Sequence, residues 1–343
     1  MRTIGIDLGT TNCLAAVWQN GESVLIPDSS GEYLTPSFVS VDGDQIYVGK
    51  TAKERMIAHP DETASVFKRY MGTDKQFSLG GRLFRPEELS AFLLKKMKED
   101  AEEFLQEEVG EAIISVPAYF NDKARAATKR AGELSGLRVE RIINEPSAAA
   151  LACQNIEQRE DATILVFDFG GGTLDVSLVE CFDNVVQIEA VSGDNHLGGS
   201  DFDSVIAKYF CEKQNLLWDS LDEKLRAVLI KAAERCKMEL TAAKDAVMRV
   251  RYEEQSWDLS LTRQDVVHIG AEIFRRMEKP VKRVLLDGKV SPKELTEVVL
   301  VGGSCKMEIV RQYLSYILEG RKIEMCDPDR MIARGLGVVV GIK

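Results

Sequence analysis

The stretch from Thr163 to Val176, TILVFDFGGGTLDV, constrains the fold more than any other part of the sequence. An apolar, β-branched run ends on Asp168, three glycines follow, and the chain then turns apolar again around Asp175. This pattern predicts a buried strand that carries a carboxylate to a tight loop, where glycines let backbone N–H groups approach an anion. A loop that binds an anion, next to an acidic residue, is typical of a phosphate site beside a divalent-cation site. Such a pair of sites indicates a nucleotide as the ligand. Taken alone, the stretch is equally compatible with an ordinary hairpin turn.

The N-terminal residues repeat this arrangement. IGIDLGTTNCLAAV and VFDFGGGTLDVSLV share a strand, an aspartate, an apolar residue, a glycine-containing loop with threonine, and a returning strand. Asp7 aligns with Asp168, and Gly9 aligns with Gly170. Two copies half a chain apart predict two similar lobes that face each other, each presenting a carboxylate and a phosphate loop to the cleft between them. The two aspartates would then hold the hydration shell of a nucleotide-bound Mg²⁺.

Composition narrows the class of protein. A length of 343 residues suits two domains, and 45% hydrophobic with 29% charged residues is typical of a globular protein. The net charge of −11 argues against a broad surface for nucleic acid or anionic membrane. The seven cysteines are scattered without a C-x-x-C pair, which favours reduced thiols in the cytoplasm. We expect no signal peptide and no membrane span, because neither an apolar leader nor an apolar run near ~20 residues is present.

The order of the predicted elements favours an α/β fold. Beyond Glu111, strands and helices alternate, which predicts a largely parallel sheet with covered faces. Two short helices are predicted at 50–58 and 61–70, separated by Pro60. A long amphipathic helix is predicted at 86–105, and another at 264–286 around Pro280. The polar residues 156–161 are predicted to link two lobes.

Six ordered motifs carry a family resemblance: IGIDLGTTN, VPAYFND, INEPSAAA, VFDFGGGTLDVS, GDNHLGGSDFD and VVLVGGS. From Ile4 to Gly341 the chain resembles the ATPase domain of the DnaK-type heat shock protein 70 chaperones. The resemblance implies an actin-like ATPase fold, with duplicated ribonuclease H-like lobes around a central nucleotide cleft. It divides the chain into lobe I, residues 1–157 plus 325–343, and lobe II, residues 158–324. The short segment between Lys68 and Pro86 resembles the compact HscC-like branch, which lacks most of one peripheral subdomain.

The resemblance implies ATPase activity with ATP or ADP, Mg²⁺ and, as an optional further ion, K⁺. Lys68 matches the lysine beside the γ-phosphate and the attacking water. Glu145 and Thr173 match residues that position this water, and Asp175 matches an acid near the cation. Outside its motif, Lys68 would be interpreted as a solvated lysine at a helix end. Phosphoryl transfer requires positioning and charge neutralisation more than covalent chemistry, so these residue types suit the reaction.

Further matches concern the cation, the phosphates and the nucleoside. The acids that hold Mg²⁺ through water are Asp7 and Asp168. Phosphate-facing positions are Gly9, Thr10, Thr11, Asn12, Gly170, Gly171, Gly172, Gly198 and Gly199. Nucleoside contacts are implied for Glu234, Lys237, Thr241, Gly302, Gly303, Ser304, Lys306 and Asp329. The first three of these recur at i, i+3 and i+7, which places them on one helix face.

Three positions depart from the family pattern. Met238 and Lys306 stand where arginines are common, so the planar stacking that a guanidinium offers to adenine is lost at both. We therefore predict that this chain binds nucleotide more weakly, or exchanges it faster, than typical members of the family. Ser200 replaces a common glutamate after Gly198 and Gly199, which affects the cleft rim and not the phosphate loop.

Other matches imply coupling to partners. Pro117 and Arg125 match the family's proline switch and its partner arginine, although Pro117 is equally well interpreted as a strand terminator. Arg141 and Asn144 match surface positions used by J-domain cochaperones. The resemblance also implies a nucleotide-exchange factor, and client polypeptides held by a substrate-binding domain that this sequence lacks. An excised ATPase domain and a natural stand-alone module both remain open.

Two other functions are compatible with an actin-like fold. A small-molecule kinase would need an aspartate base in a substrate pocket, and no suitable acid motif is present. A filament or scaffold protein would bind nucleotide mainly to assemble. The segment INEPSAAA favours the chaperone over both.

Overall fold

The chain folds into two units, each built of strands and helices. The computed structural model describes residues 1–56, 58–153, 161–182, 185–323 and 327–342. The first unit comprises Met1–Glu160, Phe182–Gln187 and Arg330–Lys343, and the second comprises Asp161–Cys181 and Ile188–Asp329. The lobe boundaries predicted at 157/158 and 324/325, and all but the last residue of the linker predicted at 156–161, lie outside the described residues.

The elements of the N-terminal part begin with a run of strands. They are β1 (Arg2–Leu8), β2 (Asn12–Gln19), β3 (Glu22–Ile26), β4 (Thr35–Pro36), β5 (Phe38–Asp42), β6 (Gln45–Val48), α1 (Lys50–Arg55), β7 (Thr63–Ser65), β8 (Phe77–Leu79), β9 (Arg82–Phe84), α2 (Pro86–Leu105), β10 (Val109–Val116), α3 (Asp122–Leu134), β11 (Arg138–Asn144) and α4 (Glu145–Cys153). Short 3₁₀ helices lie at Pro60–Glu62 and Phe67–Tyr70.

The C-terminal part contains most of the long helices. Its elements are β12 (Ala162–Phe169), β13 (Leu174–Phe182), β14 (Val185–Asp194), α5 (Gly199–Lys213), α6 (Glu223–Ala242), β15 (Asp245–Tyr252), β16 (Gln255–Thr262), α7 (Arg263–Ile269), α8 (Ala271–Asp287), β17 (Glu297–Val301), α9 (Glu308–Ile317) and α10 (Met331–Gly341). Short 3₁₀ helices lie at Trp218–Ser220 and Gly303–Lys306.

The two units share one sheet topology. In the first unit the strand order is β11-β10-β1-β2-β3, with β1, β2 and β3 antiparallel and β10 parallel to β1. In the second unit the order is β14-β13-β12-β17, with β12 antiparallel to β13 and parallel to β17. The sequence β3-β2-β1-β10 therefore corresponds to β14-β13-β12-β17. This correspondence supports the internal duplication that the aspartate–glycine repeats predict.

Each unit has its own apolar core. Helix α2 begins at Pro86, where Glu88 accepts a hydrogen bond from the Arg85 backbone N–H at 2.7 Å, and it buries Leu89 and Leu93. In the second unit a series of edge-to-face and tilted aromatic rings connects the sheet to the helices: Phe167, Phe169, Phe202 and Phe274. Phe169 directly precedes the glycine loop, so its burial anchors that loop to the core.

Two of the helix predictions are wrong. Residues 61–70 do not form one helix, because Thr63–Ser65 is β7 and pairs with β5. Residues 264–286 form α7 and α8, which meet at Gly270, whereas Pro280 lies inside α8 without ending it. The helix predicted at 86–105 is present, and it follows a short hairpin of β8 and β9.

The described residues also bear on cysteines and membranes. Three of the described cysteines are free thiols: Cys13, Cys211 and Cys236. Among the helices of the described ranges, none has both the length and the apolar character that crossing a membrane would require.

Candidate active site

The first phosphate-loop candidate is the turn between β1 and β2. Leu8 pairs with Cys13, so the strands close directly on either side of residues 9–12. A Cβ on Gly9 would lie 2.0 Å from the Asn12 carbonyl oxygen, and only glycine fits there. The Ser37 hydroxyl donates to the Gly9 carbonyl at 2.7 Å, and the Ser37 N–H donates to the Thr11 carbonyl at 2.8 Å. This loop is a tight turn held from outside by one serine.

Asp7 is a buried carboxylate beside this turn. It is 7% exposed, and the Ser115 hydroxyl donates to its Oδ1 at 2.9 Å. Burial, with repulsion from Glu145, raises the pKa of Asp7 to about 7, against the opposing effects of Lys68 and Ser115. A buried carboxyl group whose charged form is disfavoured in this way fits the edge of a cation site, since a cation would stabilise the carboxylate.

The described residues include no group of three or more His, Cys, Asp or Glu side chains placed to hold a metal ion. The sequence prediction, in which Asp7 contacts the hydration shell of Mg²⁺ and not the ion, requires no such group.

Lys68 and Glu145 form a nearly buried ion pair. Lys68 Nζ lies 2.5 Å from Glu145 Oε1, and the two side chains are 6% and 13% exposed. Glu145 is the first residue of α4, directly after β11, and Lys68 lies in the 3₁₀ helix 67–70. Burial by itself lowers the pKa of Lys68, but Glu145 and Asp7 outweigh it, and the pKa is raised. The ammonium therefore stays charged.

The backbone is strained next to this lysine. Val66 has φ +51° and ψ +18°, a left-handed conformation that is rare for a β-branched residue, and it immediately precedes the 3₁₀ helix that carries Lys68. Strain of this kind clusters at functional sites and costs on the order of 1–3 kcal/mol.

A chain of contacts leads from the ion pair to the residues predicted to couple to partners. Arg125 Nη2 donates to Asn144 Oδ1 at 2.7 Å, and Arg125 Nε donates to the Phe120 carbonyl at 3.0 Å. The Phe120 N–H donates to the carbonyl of the buried Pro117 at 3.1 Å. Since Asn144 is half-buried and bonded to Arg125, it is less accessible than the surface position predicted, whereas Arg141 is exposed.

The glycine loop of the second unit is the turn of the β12–β13 hairpin. The Gly170 N–H donates to the Thr173 carbonyl at 3.0 Å, and Asp168 lies opposite Asp175 across the two strands. Both aspartates are half-buried. The structure therefore shows the hairpin, and a phosphate loop at the same turn is compatible with it.

The loop at 198–200 packs on this turn. The Gly199 N–H donates to the Gly170 carbonyl at 3.0 Å, and the Ser200 N–H donates to the Gly171 carbonyl at 2.8 Å. A Cβ on Gly198 would lie 2.2 Å from the Gly172 nitrogen, so the two loops touch backbone to backbone. The sequence predicts both loops to face phosphate, and the structure brings them together.

Lys237 joins helix α6 to the same loops. Its Nζ lies 2.8 Å from Asp203 Oδ1 and donates to the Gly199 carbonyl at 2.8 Å. Asp203 is 6% exposed, and burial raises its pKa although Lys237 opposes the shift. Sequence reasoning missed Asp203, whose only signal is its place one turn into the helix that follows Gly198-Gly199.

The remaining nucleoside candidates lie around the end of β17. The Ser304 hydroxyl donates to the Gly170 carbonyl at 2.8 Å, and the Gly302 N–H donates to the Pro328 carbonyl at 3.1 Å. Lys306 forms an ion pair with Asp329. On α6, Glu234 is exposed, the Thr241 hydroxyl donates to the Met238 carbonyl, and the Met238 side chain is 63% exposed.

A sequence model of the Hsp70 protein family matches residues 3–343. The match includes every loop and ion pair described above.

Proposed function

We propose that this chain, which belongs to the Hsp70 family, is the ATPase domain of a DnaK-type chaperone and hydrolyses Mg²⁺-bound ATP to ADP and phosphate. Members of this family are ATPases. The observation that carries the proposal is the Lys68–Glu145 ion pair in the same unit as the buried Asp7 carboxyl. A buried cation held by a carboxylate beside a second acid suits phosphoryl transfer, which depends on positioning and charge neutralisation.

The candidate site residues of the first unit have separate roles in this proposal. Lys68 neutralises charge on the γ-phosphate, and its position is fixed by Glu145 before ATP arrives, so little reorganisation is needed in the transition state. Glu145 also orients the attacking water. The backbone of the turn 9–12 contacts the β- and γ-phosphates, together with the side chains of Thr10, Thr11 and Asn12.

The second unit supplies the other contacts. Gly170–Gly172 and Gly198-Gly199 present backbone N–H groups to phosphate, Thr173 helps to position the water, and Asp175 lies near the cation. Helix α6 and the loop 302–306 take the nucleoside, with Lys237 directed by Asp203 and Lys306 by Asp329.

Asp7 and Asp168 would hold Mg²⁺ through its water ligands, and the bound ion would neutralise charge on the β- and γ-phosphates. For Asp7 this fits the raised pKa of its carboxyl group, because such a site favours a nearby positive charge.

In the proposal, nucleotide state is reported outward through Glu145, Asn144, Arg125 and Pro117. J-domain cochaperones, an exchange factor and client polypeptides are the partners that the family uses. We also propose that the chain belongs to the compact HscC-like branch, on the basis of the short segment 69–85.

Product analysis tests this function. With γ-labelled ATP in single turnover, the proposal predicts slow release of inorganic phosphate and no labelled small molecule when sugars or organic acids are added. Label in an added acceptor would favour a kinase. Nucleotide-dependent sedimentation, or light scattering that rises with ATP, would favour a filament or scaffold.

A further inference from the structure

One arginine of the second unit contacts three groups on two different helices. Arg263 Nε donates to the Leu240 carbonyl at 2.8 Å, and its Nη2 donates to the Thr241 carbonyl at 3.0 Å. Its Nη1 forms an ion pair with Glu308. The Arg263 backbone N–H also donates to the Lys244 carbonyl at 3.1 Å, so α7 begins against the end of α6. The guanidinium thus spans from the end of α6 to the beginning of α9.

The electrostatics of the two helix ends favour this arrangement. Leu240 and Thr241 lie in the last turn of α6, where carbonyl groups lack partners within the helix and the dipole is negative. Glu308 is the first residue of α9, where the dipole is positive. The positive charge of Arg263 therefore suits the C-terminal end of α6, and the negative charge of Glu308 suits the N-terminal end of α9. The two side chains also form an ion pair with each other.

These two helix ends also flank candidate nucleoside residues. Thr241, whose carbonyl Arg263 holds, is on the predicted nucleoside face of α6 with Lys237. Glu308 follows the 3₁₀ helix Gly303–Lys306 after one residue, Met307. A small cavity of about 10 Å³, room for about one water, lies beside the ion pair and is lined in part by Leu240, Val266, Met307 and Ile309. The ion pair borders this gap and links its two sides, α6 through Arg263 and α9 through Glu308.

We propose that Arg263 and Glu308 are positioning residues that hold helix α6 and the loop 303–306 at the spacing a bound adenosine requires. Neither residue needs to touch the nucleotide. The inference rests on the proposed function, because it assumes that α6 and this loop take the nucleoside.

Release of mant-ADP, a fluorescent ADP, tests the proposal by stopped flow on wild type, Glu308→Gln, Arg263→Lys and the double variant. We expect each single variant to release mant-ADP about 3–10 times faster, and the double variant to be no faster than the faster single one. The single-turnover rate of phosphate release at saturating ATP should stay within about twofold, because neither Arg263 nor Glu308 is among the residues proposed to contact the phosphates, the cation or the water. Glu308→Gln changes one partly exposed charge, so it keeps the test available if Arg263→Lys fails to fold.

Glu272→Gln is the matched control, since it removes an exposed ion pair with Arg275 on α8. It should leave mant-ADP release unchanged. Release from Glu308→Gln at the wild-type rate would overturn the inference, and so would additive effects of the two substitutions. If wild type itself fails to bind mant-ADP, the proposed function falls and the inference falls with it.

Discussion

Lys68 Nζ lies 2.5 Å from Glu145 Oε1, although 77 residues separate them in the chain. The pair is almost fully buried and interacts electrostatically with the Asp7 carboxyl group. Two acidic groups, Asp7 and Glu145, therefore lie near one basic group, Lys68. An arrangement with one uncompensated acid is costly in a folded protein unless another cation binds. The excess of acidic groups therefore favours binding of a positively charged ligand in this unit.

Removing the lysine should destabilise the nucleotide-free protein. Lys68→Met would leave Glu145 buried without its counter-charge, at a cost of roughly 3–5 kcal/mol. Lys68→Met combined with Glu145→Gln should recover part of this loss, because the unpaired carboxylate is then gone. Urea denaturation measures both effects. Equal stability of the single and double variants would contradict the account of the pair.

Replacing Asp7 should have the opposite effect on stability. The pKa of Asp7 is about 7 in the folded protein, against 3.8 for an unperturbed group, so the folded state loses stability relative to the unfolded state as pH rises between these values. Asp7→Asn should therefore stabilise the nucleotide-free protein, on the order of 2–4 kcal/mol at pH 8 and less than half of that at pH 5. Urea denaturation at the two pH values measures the difference. Asp44→Asn, in the exposed turn between β5 and β6, is the control and should leave the stability nearly unchanged. An Asp7→Asn protein less stable than wild type at pH 8 would refute the prediction.

Two glycines of the second unit should respond differently to one methyl group. In Gly198→Ala the new Cβ would lie 2.2 Å from the Gly172 nitrogen, a contact that only backbone movement can relieve. In Gly170→Ala the nearest atom, the Thr173 carbonyl oxygen, would be 3.8 Å away. We expect Gly198→Ala to lower stability by about 2 kcal/mol or more and Gly170→Ala by less than about 1 kcal/mol. Thermal unfolding of the two variants measures this, and equal melting temperatures would show that the loops do not pack as described.

Met238 offers a test of nucleotide exchange. Its side chain is 63% exposed on α6, so an arginine fits there without disturbing the core. A guanidinium stacked on adenine would contribute about 0.5–1 kcal/mol, and Met238→Arg should slow ADP release about 2–5-fold. Met238→Leu is the control that changes shape without adding charge. Release as fast from Met238→Arg as from Met238→Leu would mean that position 238 does not face the base.

The repeats and glycine loops could be predicted from the sequence because their signals are local. Strand, acid and glycines follow one another within 14 residues in both copies, and both form hairpins. The β7 strand was missed because Thr63–Ser65 is determined by its pairing with β5 and not by its own pattern. Ser115 and Asp203 were missed for a related reason: each is defined by a partner, Asp7 or Lys237, that lies far away in the chain.

The central claim is that Lys68 assists transfer of the γ-phosphate to water. The most direct test is the single-turnover rate of phosphate release from Mg²⁺-bound ATP by wild type and by Lys68→Ala, at a temperature where both are folded, with ADP affinity measured by calorimetry. We predict that Lys68→Ala lowers the rate at least about 100-fold while ADP affinity changes by less than about threefold. Wild-type hydrolysis by Lys68→Ala would contradict the account.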